Sequence, residues 1–462
     1  MYQKTYHIFF VGIGGIGMSG IAELLLKLNY RVSGSDLKST PITKRLKSLG
    51  GTIYKGHKEE NIEGADVLVV SSAIKEGNPE VRAARKAAIP VIPRAEMLAE
   101  LMRLKYSVAV SGAHGKTTTT SMVAAVLEKG DLDPTVVIGG VLKSVGTNAL
   151  HGLGAFLVAE ADESDGSFLK FSPSIAVVTN IDLEHLDFYK DMEDIKSVFL
   201  QFIGRIPFYG LAVLCLDSEP VQQLIPEINS RYTTYGISTQ ADFQARNIVS
   251  QGPKSLFDVY RHGEKMGAII LNLPGMHNVL NCLASIVVGT ELDIPFETIK
   301  KALEQLQGVE RRIEIKGNAK GILVIDDYGH HPTEVKATLK AVRECWPDKR
   351  LVVVFQPHRY TRTRALFNEF SRAFYQTDEL ILVPIYAASE EPIDGVTSER
   401  LADEISAHGH KSVSFMEEPE SVVAYLLENL KKGDILLTLG AGNVYQLGET
   451  LAERLSAKSS AR

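Results

Sequence analysis

The sequence predicts an α/β protein of three domains, and three observations carry that prediction. Short apolar runs of strand length alternate with helix-patterned stretches along most of the chain. Two glycine-bearing loops each follow such a run and open a helix. The length of 462 residues suits about three domains of ~150 residues. The expected architecture is a Rossmann-like N-terminal domain over residues 1–105, a central P-loop ATPase-like α/β domain over 106–310 and a Rossmann-like C-terminal α/β domain over 311–462. A 45% hydrophobic and 23% charged composition is that of a globular protein. The formal net charge of −6 gives no electrostatic reason to expect nucleic acid or an anionic membrane as partner. Cys215, Cys282 and Cys345 are widely separated with no Cys-x-x-Cys pair, which fits a reducing cytosol and argues against disulfides or a zinc ribbon. The first apolar run, Ile8 to Val11, is too short for a signal peptide, and no run approaches the ~20 residues of a membrane span. A cytoplasmic protein is expected.

In the N-terminal region Ile8-Phe9-Phe10-Val11 leads into Gly12-Ile13-Gly14-Gly15-Ile16-Gly17 and a helix through about Leu28. Arg31–Asp36 and Val67–Val70 follow as strands, the second running into Ser71-Ser72. Gly12-x-Gly14-x-x-Gly17, with Asp36 nineteen positions beyond the last glycine, has the spacing of a dinucleotide fingerprint. Its physics is generic: a tight turn, close backbone approach to a pyrophosphate, and an acid for ribose hydroxyls. It therefore reports a nucleotide diphosphate, not NAD in particular. Glycines that merely pack helix on strand are the alternative.

The central region opens on the strand Ser107-Val108-Ala109-Val110, then Ser111-Gly112-Ala113-His114-Gly115-Lys116-Thr117-Thr118 and a helix ending near Glu128. Converging backbone N–H groups and a helix N-terminus make this a phosphate cradle. Lys116 would reach the terminal phosphates and the Thr117 hydroxyl would sit on Mg²⁺. The loop is short, since Val110 stands where the first glycine of the usual pattern falls. The strand Phe156–Ala159 runs into Glu160-Ala161-Asp162-Glu163-Ser164-Asp165, where Glu160 is the chosen Mg²⁺ ligand and a solvated acidic loop the alternative. Ile175–Val178 runs into Asn180-Ile181-Asp182-Leu183-Glu184-His185, where His185 would ligate a second Mg²⁺, contact phosphate, or be an ordinary loop residue. Residues 230–272 alternate in the manner of a small accessory sheet, before a helical segment at Gly275-Met276-His277-Asn278.

Two nucleotide-type sites, one without a lysine and one built for a triphosphate, point to an ATP-driven reaction on a nucleotide-linked substrate. In the C-terminal region Ile322–Ile325, Leu351–Val354, Leu380–Val383 and Ile435–Thr438 read as buried strands. Asp326-Asp327-Tyr328-Gly329-His330-His331-Pro332 follows the first. Adjacent histidines in extended chain point oppositely, so ribose or substrate contacts are favoured there over zinc. Gln356-Pro357-His358-Arg359-Tyr360-Thr361-Arg362 follows the second, and its arginine forks suit carboxylates or phosphates, a solvated basic loop being the alternative. The Gly440-Ala441-Gly442-Asn443 turn is structural or lines a cleft.

These blocks, in this order, resemble the Mur ligases, which add amino acids to the peptidoglycan precursor, and among them the alanine-adding branch. The resemblance spans all three domains: the Gly12–Gly20 loop, Gly115-Lys116-Thr117-Thr118-Thr119-Thr120, Glu160–Asp165, Asn180-Ile181-Asp182-x-x-His185, His277-Asn278-x-x-Asn281, Arg311-Arg312, Asp326–Pro332 and His358–Arg362. It implies ATP-dependent ligation of L-alanine to the lactyl carboxylate of UDP-N-acetylmuramate through an acyl phosphate, with ATP and Mg²⁺. It implies Lys116 on the β/γ-phosphates within the cradle Gly112, Ala113, His114, Gly115 and Thr118, Thr117 and Glu160 on one Mg²⁺, and His185 on a second. Asn278 and Asn281 would contact adenine, and Arg312 and Asp327 the phosphates and ribose. Tyr328, His330, Arg359 and Arg362 would face the muramyl carboxylate and alanine. Gly14, Gly15, Ile16 and Gly17, with Asp36 and Ser72, would hold UDP.

Two departures stand out. Ala113 replaces the hydroxyl residue common in the family's loop, which leaves the backbone cradle intact. Sister ligases carry a carbamylated lysine about fifteen residues past the histidine, where this chain has Leu200, with Lys196 the nearest lysine; a carbamate is not assumed. The rival readings are a recycling ligase that attaches a preformed tripeptide, a dehydrogenase built on the N-terminal fingerprint, and a non-catalytic nucleotide-binding regulator. The sequence sets no oligomeric state.

Overall fold

The apolar runs form the strands of three sheets. This computed structural model describes residues 5–457 apart from residues 72, 143–146, 187 and 239. In the first sheet the spatial order is Thr52–Lys55, Arg31–Asp36, His7–Val11, Val67–Val70, Val91–Pro93, all parallel. Strand order reverses beside His7–Val11, which is buried throughout, and the glycine loop leaves this strand at the resulting crevice.

The parallel part of the central sheet runs Tyr232–Gly236, Leu211–Cys215, Ile175–Val178, Tyr106–Ser111, Phe156–Glu160, Thr135–Leu142. After Tyr106–Ser111 the chain builds first on one side of that strand and then on the other, so its C-terminal end is the switch point of the sheet. The accessory sheet expected over 230–272 is not separate. Phe243–Gln251 pairs with Tyr232–Gly236 through Tyr235 and Phe243, and Lys254–Arg261 and Glu264–Leu271 extend the same sheet antiparallel. The physical reason is a shared core: Phe243, Ala245, Phe257, Val259 and Ile269 bury together with helix Met276–Glu291, which requires one continuous surface.

The third sheet runs Glu314–Ala319, Ile322–Asp327, Ile435–Leu439, Leu351–Phe355, Glu379–Leu382, Val413–Phe415, parallel except at the first pair. Its four expected strands occupy the centre. The Gly440–Asn443 turn is structural: Arg311 bonds Asp326 at 3.0 Å and donates to the carbonyls of Gly440 and Gly442. Among the described residues, no helix is long and apolar enough to cross a membrane.

The first and central sheets share an apolar core that includes Phe10, Leu98, Ala159, Phe168, Phe199 and Phe202, whereas the third sheet packs on cores of its own. Phe168 is fully buried, with its ring 5.3 Å from Phe199 and 4.7 Å from Phe202. Phe168→Ala is expected to destabilise the protein by about 3–5 kcal/mol through lost contacts and a residual cavity. Denaturant unfolding checks this, and an unchanged midpoint would contradict it.

Candidate active site

The strand Tyr106–Ser111 delivers the chain to a loop that only glycine can build. Gly112 has φ +133° and Gly115 φ +82°; a Cβ would stand 2.1 Å from Thr179 Oγ1 at the first and 2.6 Å from Asn281 Oδ1 at the second. Helix Lys116–Lys129 begins at Gly115 with no side-chain cap, so its first-turn N–H groups are donors for an anion. Asn180 clamps the loop: its Oδ1 accepts from the His114 N–H at 2.9 Å and its Nδ2 donates to the His114 carbonyl at 3.0 Å. The Ala113 N–H donates to the Asn180 carbonyl at 3.2 Å, so a hydroxyl at position 113 is not needed to anchor the turn. Lys116 Nζ donates to the Gly112 carbonyl at 2.6 Å and to Glu163 Oε1 at 2.9 Å. Burial opposes the ammonium charge, but Glu163 and Asp162 outweigh it and raise the pKa, so Lys116 is a cation at neutral pH.

Carboxylates from the two neighbouring strand ends surround this lysine. Desolvation pushes Glu160 up, opposed by the Thr117 hydroxyl and the Gly139 N–H, and its Oε1 is buried without a hydrogen-bond partner. His185, at φ +56°, has Nε2 3.6 Å from Glu163 Oε1 and 3.7 Å from Glu184 Oε2. Ligand atoms of Glu163, Glu184 and His185 lie within 4.8 Å of one another, and Glu163 Oε2 and Glu184 Oε1 are also buried without hydrogen-bond partners. Glu184 is held down at about 2: burial works against its charge, and His114 and Arg362 more than compensate. Thr117 with Glu160, and Glu163 with Glu184 and His185, are thus two oxygen-rich places that fit a hard divalent cation. The sequence reading missed Glu163 and Glu184 as ligand candidates, although Glu184 directly precedes His185. Lys196 is engaged elsewhere, with Gln223 at 2.9 Å and Glu193 at 2.6 Å. The carboxylates of Glu163 and Glu184 stand beside His185 instead.

A cavity of about 430 Å³ extends from the loop to the third sheet, lined by His114, Gly115, Asn278, Asn281, Arg312 and Asp327 among others. Its polar rim and apolar residues such as Met192, Pro220 and Leu280 suit a nucleotide. Asp327 differs from the simple expectation. Its Oδ1 accepts from the Gly329 N–H at 2.9 Å and Thr338 Oγ1 at 3.0 Å, and its Oδ2 from the Ile313 N–H at 2.8 Å. It therefore fixes the segment carrying Arg312 at the cavity edge. The Arg312 guanidinium lies 5.2 Å from the Tyr328 ring centre and 3.9 Å from Glu334.

His330 and His331 do point oppositely: the His331 ring is 4.9 Å from His114 and the His330 ring 5.6 Å from His358. Burial lowers His330 to about 4 and His358 to about 3, so both are neutral. They stand beside a second cavity of about 200 Å³, lined by Glu184, His185, Arg359 and Arg362 among others. Arg362 lies 3.6 Å from Glu184 Oε1.

At the first sheet, helix Ile16–Lys27 begins at Gly15 without a side-chain cap, leaving its N-terminus to an anion. Asp36 Oδ2 accepts from the Gly14 N–H at 2.9 Å and so ties the glycine turn together. Arg94, which the sequence reading missed, reaches within 2.8 Å of where a Gly17 Cβ would stand and lies 3.6 Å from Asp162. Ser72 falls outside the described residues. In the phosphate loop, Gly112→Ala is expected to remove ATP binding measured by calorimetry, because the Cβ collides with Thr179. Unaltered ATP affinity would contradict the cradle.

Comparison with known proteins places these features in one family. Residues 7–106 match the family model described as Mur ligase family, catalytic domain; residues 110–289 match the Mur ligase middle domain; residues 311–442 match the Mur ligase, glutamate ligase domain. A relative from Desulforapulum autotrophicum, named UDP-N-acetylmuramate–L-alanine ligase, is 63% identical over 99% of this chain and 100% of its own. One of the same name from Desulfosudis oleivorans is 65% identical over 97% of this chain and 98% of its own. The crystal structure of UDP-N-acetylmuramate-alanine ligase from Thermotoga maritima superposes with a TM-score of 0.83 at 30% identity, covering 98% of this chain and 99% of that one.

Proposed function

This chain belongs to the Mur ligase family, and from that premise we propose how its residues join L-alanine to the lactyl carboxylate of UDP-N-acetylmuramate, with ATP converted to ADP and phosphate, in peptidoglycan precursor synthesis. The names and near full-length identity of the relatives support the alanine-adding branch over tripeptide recycling. The observation that carries the mechanistic reading is the convergence of Lys116, the Glu160–Glu163–Glu184–His185 carboxylate and imidazole groups, and Arg362 around one point.

A carboxylate does not react with amines in neutral water because oxide is a poor leaving group. Transfer of the γ-phosphoryl group to a lactyl carboxylate oxygen breaks the bond to the ADP oxygen and forms an acyl phosphate. Attack by the alanine amine on the carbonyl carbon then forms the amide and expels phosphate with that same oxygen. The chain's task is to position the reactants and to spread charge. Lys116 and the uncapped first-turn N–H groups of helix Lys116–Lys129 cradle the terminal phosphates. Thr117 and Glu160 would hold one Mg²⁺, and His185, with Glu163 and Glu184, a second; the orphaned carboxylate oxygens fit that role. When bound, Mg²⁺ neutralises charge on the transferring phosphoryl group.

Asn278 and Asn281 border the adenine end of the larger cavity, and Arg312 and Asp327 its third-domain wall. Arg359 and Arg362 line the smaller cavity and supply forks for the carboxylates of the muramyl group and alanine, beside neutral His330 and with Tyr328 stacked on Arg312. UDP is assigned to residues 1–105, at Gly14, Gly15, Ile16 and Gly17 with Asp36 and Ser72. Residues 106–310 are assigned to ATP and 311–462 to closing the site, which excludes water from the acyl phosphate. The reading places the reaction in the cytoplasm, with UDP-N-acetylmuramate and L-alanine as partners and neither nucleic acid nor membrane.

The acyl phosphate is tested with UDP-N-acetylmuramate carrying ¹⁸O in its lactyl carboxylate. One labelled oxygen is expected in the phosphate released with each amide; unlabelled phosphate would exclude the intermediate.

A further inference from the structure

We propose that His114 is a positioning residue that clasps the third domain onto the phosphate loop, so that water exclusion and phosphoryl-transfer geometry depend on one imidazole. At this position the backbone anchors the loop to Asn180 and Thr179, which leaves the side chain available for another task. The His114 backbone is pinned on both sides, its N–H to Asn180 Oδ1 at 2.9 Å and its carbonyl to Thr179 Oγ1 at 2.6 Å. Its ring is therefore fixed relative to the loop, and anything the ring holds is held in register with Lys116.

The ring holds two carboxylates from two domains. Nε2 lies 3.0 Å from Asp182 Oδ2, at the end of the central strand Ile175–Val178, and Nδ1 lies 3.2 Å from Glu334 Oε1, in the first turn of the third-domain helix Pro332–Cys345. Both partners are engaged further. Asp182 Oδ2 accepts from Thr333 Oγ1 at 2.7 Å across the same boundary and lies 3.6 Å from His331 Nδ1. Glu334 Oε2 accepts from the His330 N–H at 3.0 Å and from the N–H of the N-cap residue His331 at 3.4 Å, the second bond closing the N-terminus of that helix. Burial opposes a charge on His114, yet the hydrogen bond to Asp182 and the Glu334 carboxylate 3.2 Å from Nδ1 raise it to about 10, so the clasp is a cation between two acids. Without the imidazolium the two carboxylates would face each other across a desolvated boundary, which disfavours docking.

This inference rests on the ligase reading, because its consequence is a leak. If the third domain docks poorly, water reaches the acyl phosphate and phosphate is released without amide. The test measures phosphate and amide together for the full chain, His114→Asn and Thr333→Val, with ATP, Mg²⁺ and UDP-N-acetylmuramate, with and without L-alanine. His114→Asn is expected to raise the ratio of phosphate to amide by about fivefold or more and to lower kcat for amide by at least about tenfold, with KM for the UDP-sugar little changed. Thr333→Val removes only the cross-boundary hydroxyl and keeps its shape and the loop. It is expected to raise the ratio in the same direction by a smaller factor. A phosphate-to-amide ratio equal to the parent's in both variants, whatever their rates, overturns the clasp. Absence of amide from the parent chain would instead overturn the ligase reading.

Discussion

Three parallel strands end side by side, and the chemistry depends on that constraint. Ser111 stands opposite Val178 and Val110 opposite Glu160 in the register of the central sheet. The loops that leave these ends must then converge, which places Lys116, Glu160, Glu163 and His185 within a side chain's reach. Burying a cation in such a place is costly unless it is paired. Lys116 meets that requirement through Glu163, which it shares with His185 at 2.9 and 3.6 Å. A phosphate oxygen for the lysine and a divalent cation for the carboxylates would satisfy both sides at once, so the electrostatics of the loop are already arranged for a metal-bound nucleotide.

The two domain boundaries are built from different physics. Between the first and central sheets the apolar core is continuous, with Phe10 and Leu98 in the same cluster as Phe168 and Phe202. The third domain instead meets the loop through polar and charged side chains. One route runs Lys116, Glu163, His185, Glu184, Arg362 with successive separations of 2.9, 3.6, 3.7 and 3.6 Å. Another runs from His114 to Glu334. An apolar boundary resists opening, whereas a polar one resembles a transient interface and can separate and re-form. The difference fits a protein whose first two domains keep a fixed relation while the third can separate and re-form its contacts.

Much of this was legible in the residues. Strand–glycine–helix order located both glycine turns that open an uncapped helix, and adjacent His330 and His331 were read as pointing apart because extended chain alternates its side chains. What escaped was long-range. Glu334 was not singled out in the sequence and gained meaning only when the fold set it against His114. Arg94 is nearly eighty positions from the glycine turn that it covers. Asp327 was given a nucleotide contact by the resemblance alone, and what no local pattern showed is that its carboxylate also accepts three hydrogen bonds within its own domain. The accessory sheet was misjudged because alternation reveals a strand but not which strand it pairs with. Local pattern reports where an anion can bind; only the tertiary fold reports which acids and bases share the space.

We infer that two nucleotide sites and the acceptor arginines act in one coupled reaction. It is tested most directly by phosphate release from ATP on the purified chain, omitting UDP-N-acetylmuramate, L-alanine or Mg²⁺ in turn, with the conjugate followed by mass. Rapid release is expected only with all three present, one phosphate appearing with each UDP-N-acetylmuramoyl-alanine formed. Rapid release without the UDP-sugar, or no conjugate from folded protein that binds ATP, would contradict the account.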